Sequence, residues 1–153
     1  MKLTIELVPS TVWYSSLYRL LPKSEWYDLK NKVFAEEGRR CYICGSEEGL
    51  SLHEFWKYDD DKHIQKLSEF HHLCNLCHKI KHMGFWCYTI DGKAKLEQEG
   101  LCREDLIRHF CKVNGCTEKE FKEHEREAFK IWSERSLHQW KQDFGDYAKF
   151  IRK

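Results

Sequence analysis

Charge of one sign is what this chain most conspicuously lacks. Its 26 lysines and arginines barely exceed its 25 aspartates and glutamates, for a net charge of +1 with histidine neutral. That counts against the broad basic field by which non-specific polyanion binders release counterions. Long apolar runs are missing too. No stretch approaches the eighteen residues of a membrane span, and MKLTIELVPSTVW meets Glu6 and Pro9 where a secretory signal needs unbroken apolarity. There is no repeat, low-complexity linker or domain boundary. The expectation is one domain over residues 1–153, in the cytoplasm, with no membrane partner.

Histidine, cysteine and aromatic residues are plentiful. Aromatics make up 14% of the chain and include six tryptophans, which argues for a collapsed core rather than disorder. The nine histidines can add positive charge locally, at lower pH or around a bound phosphate. The eight cysteines could suggest a disulfide scaffold, but four of them stand as two C-x-x-C pairs, Cys41/Cys44 and Cys74/Cys77. In a reducing compartment that spacing reads as metal ligation. Each pair offers two thiolates to a tetrahedral Zn²⁺, and the 29 residues between the knuckles (45–73) can enclose a hairpin. A structural zinc on Cys41, Cys44, Cys74 and Cys77 is expected. Cys111, Cys116 and His109 are a weaker candidate for a second site, because buried cysteine needs no metal.

The element pattern is α+β and helix-rich, around a ββα-metal centre of treble-clef type. An N-terminal part (1–40) holds a short strand over 3–8, ending at Pro9, and a helix over 25–37 capped by Ser24 and closed by Gly38. The zinc centre (41–84) holds strands over 50–55 and 64–73 about a turn at Asp59, Asp60 and Asp61. A helix follows from Asn75 and stops before Gly84. In a helical C-terminal part (85–153), WCYTI (86–90) with Asp91-Gly92 reads as a strand and tight turn. A helix runs over 104–113, and a capping box at Thr117 and Glu120 opens a long helix ending near Gly145. Trp132, Trp140 and Arg135 could stack on bases, but helical spacing favours core packing.

Histidines gather at the same centre. His78 and His82 are four apart and share a helix face about 40° from eclipsed, while Cys77 lies about 100° from His78. One helix can therefore carry zinc ligands on one side and aim two imidazoles at His53 on the hairpin. Three imidazoles, or two and a carboxylate, leave coordination positions open for a phosphate oxygen and water.

C-x-x-C, then L-x-L-H-E, then L-C-x-x-C-H-x-x-x-H resembles the zinc-containing branch of the HNH endonucleases. VPSTVWYS, HEFWKYDDD, KVNG and AFKIWSERSLHQW extend the likeness, to bacterial proteins of that superfamily, over nearly the whole chain. The resemblance implies hydrolysis of phosphodiester bonds in nucleic acid, with DNA the expected polymer. It also implies a catalytic divalent ion (Mg²⁺, Mn²⁺, Ni²⁺ or Zn²⁺) on His53, His78 and His82. Two departures stand out. The usual ligand-then-histidine pair is here His53-Glu54, so either Glu54 is the base, or His53 is and Glu54 supports the metal. The middle Asn is replaced by Glu69. Lys57, Lys79 and Lys81, with Lys62 and Lys66 near them, could grip phosphates. The rival is a catalytically inactive treble-clef module binding nucleic acid or a protein.

Overall fold

The computed structural model describes residues 1–12 and 16–151, so the end of the VPSTVWYS stretch, 13–15, lies outside the described residues. Residues 3–8 are not a strand. The alternation there is real, since Leu3 and Ile5 are buried, but side chains stand in for a partner strand. The Asn114 amide accepts from Leu3 N–H (2.9 Å) and donates to Leu3 C=O (2.8 Å). His124 Nε2 accepts from Ile5 N–H, and Trp132 Nε1–H donates to Val8 C=O.

A single turn, α1 (Leu17–Leu20), leads to α2 (Lys23–Glu37). Pro22, not Ser24, occupies the N-cap of α2, in keeping with proline's fixed φ at a helix entrance. Gly38 closes the helix at φ 80° with its N–H on Phe34 C=O.

The hairpin forms as the pattern predicts, and longer. β1 (Ser51–Asp59) pairs antiparallel with β2 (Ile64–Leu73), with a bulge between Phe55 and Trp56. The Asp59 carboxylate accepts the N–H groups of Asp61 and Lys62, so the acidic run makes the turn.

α3 (Asn75–Lys81) breaks at His82, and the chain starts again as α4 (Met83–Tyr88) and α5 (Ile90–Gln98). The helix from Asn75 does stop before Gly84, but Gly84 lies inside the next helix, and WCYTI is not a strand. Thr89 explains the difference. Its hydroxyl donates to Phe85 C=O (2.7 Å), which ends α4, and accepts from Gly92 N–H (2.9 Å), which caps α5. A short apolar run carries no such information by period alone.

α6 (Arg103–Asn114) closes at Gly115, φ 62°, with Gly115 and Cys116 N–H both on Cys111 C=O. Cys111 and Cys116 are therefore neighbours across a helix stop, the pairing that such caps favour. α7 (Glu118–Arg135) begins at the expected capping box, with Thr117 Oγ1 on Glu120 N–H and Glu120 on Thr117 N–H. It ends at Arg135, not near Gly145. Trp140 Nε1–H donates to Arg135 C=O (2.7 Å) and turns the chain back, so that β3 (Lys141–Asp143) adds a parallel strand beside Ile64–Lys66.

Two apolar clusters flank the hairpin. Leu3, Ile5, Leu73, Ile80, Met83, Leu106, Phe110 and Phe121 pack on one side, and Leu17, Leu29, Val33, Leu52, Leu67 and Phe70 on the other. Trp140 is buried and Trp132 half-buried, which answers the base-stacking alternative for Trp140 in favour of packing. Among the described residues, no helix is long and apolar enough to cross a membrane.

Candidate metal centres

The four knuckle cysteines converge. Their sulfurs all lie within 4.8 Å of one another, and Cys44 and Cys74 are 3.6 Å apart. Four sulfurs about a tetrahedral Zn²⁺ with bonds of about 2.3 Å are ~3.8 Å apart, so the donor set fits that ion. Cys44 N–H points at Cys41 Sγ and Cys77 N–H at Cys74 Sγ, and Tyr42 N–H on His72 C=O straps the first knuckle to β2. The thiols of Cys74 and Cys77 donate to Cys41 and hold its pKa far below the ordinary value. Cys74 is pushed up to about 12, chiefly by its bond to Cys41, and Cys77 is also raised. A dication bound among the sulfurs would favour their thiolate forms.

His109 of α6 sits 3.2 Å from Cys77 Sγ. It belongs beside this centre, where an Nε2–H supports a thiolate, and not with Cys111 and Cys116. Its position on the inner face of an amphipathic helix was legible, but its target was not.

On the other side of α3 the three expected histidines meet. His53 comes from β1, His78 from α3, and His82 from the α3–α4 break. Their nearest nitrogens all lie within 4.8 Å of one another. Ring centroids are 5.1, 5.0 and 4.9 Å apart, and the planes cross at 69–75°. Burial is the main cause holding their pKa values down, well below the usual for His53 and to about 4 and 3 for His78 and His82; neighbouring cationic side chains add to it. All three are neutral at pH 7, with lone pairs free to ligate.

Glu54 lies on the opposite pleat from His53 and accepts the Tyr18 N–H (3.0 Å) and that of Leu17 at the start of α1. Burial raises its pKa to about 7. β1 is an edge strand, and Glu54 and the triad line one cleft of about 770 Å³ that wraps this edge.

The three lysines divide. Lys57 is exposed. Lys79 is buried, bonded to Asn75 and Glu99 and set over the Trp86 ring. Lys81 is buried against Thr4 and Glu6. Both ammonium groups tie α3 into the fold and neither faces solvent. Glu69, at the place of the missing Asn, binds His71 Nε2 (2.6 Å), while Glu37 takes His71 Nδ1 (2.5 Å). This bridge from α2 to β2 was not foreseen, because nothing local pairs residues 37 and 71.

No family model, curated protein or solved structure matches the chain. The two centres therefore speak through their chemistry: a closed four-sulfur site beside an open three-nitrogen site, on one ββα unit.

Proposed function

We propose that the protein is a metal-dependent phosphodiesterase of HNH type acting on nucleic acid, with a structural Zn²⁺ on Cys41, Cys44, Cys74 and Cys77. One observation carries this reading: three neutral imidazoles, His53, His78 and His82, converge on the wall of a cleft beside the knuckles. Three protein ligands leave open positions, as catalytic sites do and structural ones do not. Nitrogen donors favour a transition ion over Mg²⁺. Bound there, such an ion would supply Lewis-acid stabilisation of the charge that develops on phosphate oxygens.

The remaining work falls to this chain. Glu54 lines the same cleft from the other face of β1 and is the proton acceptor this reading assigns to the attacking water. Its pKa near 7 suits a base at neutral pH better than an ordinary carboxylate would. The new P–O bond forms as the bond to the leaving oxygen breaks, and that oxygen is protonated from solvent. The hydrogen bonds from Leu17 and Tyr18 hold the carboxylate in place.

A second reading keeps the zinc without the chemistry. It draws on those same bonds, since Glu54 could serve only to receive the start of α1. Supercoiled and single-stranded DNA incubated with Mg²⁺, Mn²⁺, Ni²⁺ or Zn²⁺ decides between them. The hydrolytic reading expects cutting by the wild type and none by His78→Ala, with one zinc per chain retained in both. No cutting with any ion, by folded and zinc-loaded protein, would leave the binding module.

A further inference from the structure

Much of the cleft's lining is aromatic. Trp26, Trp56, Phe85, Phe129 and Trp132 all belong to it, and all are half-buried rather than sealed in the core. Three of these rings are held by neighbours on the same lining. Trp132 Nε1–H is held by Val8 C=O, Phe129 meets Trp132 and Tyr88 edge to face, and Trp26 meets Tyr18 the same way. Arg19 and Lys30 stand on the same lining.

Such a wall suits one kind of nucleic acid. Bases in a duplex have their faces covered by their neighbours, whereas an unpaired base offers both to an aromatic ring. A volume of about 770 Å³ lies within the range that encloses small ligands, and a helix of paired strands is far wider. The chain's near-zero charge and the burial of Lys79 and Lys81 also weaken the phosphate attraction on which duplex binders rely. Affinity must then come largely from stacking.

We propose that the cleft receives unpaired nucleotides of a single-stranded nucleic acid, with bases stacked on the aromatic wall and the backbone phosphate presented to His53, His78 and His82. The inference rests on the hydrolytic reading for where the phosphate sits, and on the cleft alone for the choice of strand. The substrate is a flexible strand, or a frayed or looped segment of a duplex.

Binding tests this without turnover. Zinc-loaded full-length protein, with no further ion added, is titrated with fluorescein-labelled dT12, with a blunt hairpin duplex of the same length, and with dTMP. Anisotropy and tryptophan fluorescence are read together. Expected are dT12 binding with quenching, duplex binding at least about ten-fold weaker, and a loss of about ten-fold for dT12 in Phe129→Leu or Phe85→Leu. Each variant is checked for zinc content and thermal midpoint, and two variants guard against one misfolding. Duplex bound as tightly as dT12, no binding of dT12, or affinity unchanged in both variants would each overturn the proposal. So would dTMP binding as tightly as the strand, which would make the ligand a free nucleotide. Stacked binding of dT12 without cleavage under any ion would instead sink the hydrolytic reading and leave the cleft's preference standing.

Discussion

Substituting Gly92 with alanine places a methyl group where α5 meets the end of α4. On intrinsic propensity, glycine to alanine within a helix gains about 1 kcal/mol. The packing says the opposite. A Cβ at this position would lie 1.9 Å from Phe85 O, 2.6 Å from Phe85 C and 2.8 Å from Thr89 Oγ1. Two of these atoms are backbone, and the third is a hydroxyl held by two hydrogen bonds. The Phe85 carbonyl also receives the Thr89 hydroxyl and N–H, so it cannot withdraw without opening the joint. Overpacking costs about 1–3 kcal/mol and a lost cap about 1 kcal/mol, which together exceed the propensity gain. Gly92→Ala should therefore lose about 2 kcal/mol, seen as a lower urea midpoint at unchanged slope by tryptophan fluorescence. Because α4 begins directly after His82, Ni²⁺ affinity at the triad should fall with it. A raised midpoint would refute the helix–helix joint, and would restore the turn that Asp91-Gly92 suggests from sequence.

Two further outcomes follow from the packing. Asn114→Ala removes both bonds to the Leu3 backbone and leaves that buried residue's polar groups unmet, so urea denaturation should show a loss of about 1–3 kcal/mol. The Glu54 carboxyl has its folded pKa raised from 4.5 to about 7, so the native state holds this proton more tightly than the unfolded chain does. Stability should then fall as pH rises from about 4.5 to about 7 and level off above, a loss of about 3 kcal/mol. With the triad ion chelated, Glu54→Gln should unfold at higher urea than wild type at pH 8 and at the same urea at pH 4.5. Parallel pH profiles for the two proteins would show that burial does not hold the proton.

Where the sequence was legible, the information was local and chemical. The knuckle spacing, the i, i+4 histidines and the capping box at Thr117 each state a geometry within a few residues, and each is found. The hairpin was readable because turn chemistry at Asp59 flanks β-prone runs. What was missed depends on partners far along the chain. Residues 3–8 alternate like a strand, yet their backbone groups go to Asn114, His124 and Trp132, more than a hundred residues on. β3 is three residues long and exists because Trp140 reverses the chain onto β2. Lys79 and Lys81 look like solvated lysines in any window, since Glu99 and Glu6 reach them only in the fold. The site followed the same rule: the ligand sets could be read in line, whereas the aromatic wall of the cleft is drawn from α2, β1, α4 and α7.

Helix α3 is the shared beam of both centres. Its cap Cys74 and first-turn Cys77 belong to the sulfur site, and the residue after Cys77 already belongs to the nitrogen site. The sulfur site and the histidine cluster are thus coupled through one short helix. Zinc bound at the sulfurs would fix where α3 starts and how it is rotated against the hairpin, and so hold His78 and His82 opposite His53. Linkage is reciprocal in free energy, so an ion bound at the triad would tighten zinc binding by the same factor by which zinc tightens the triad's. Loss of the sulfur site's metal would therefore disturb the convergence of His53, His78 and His82 without any change at those three residues.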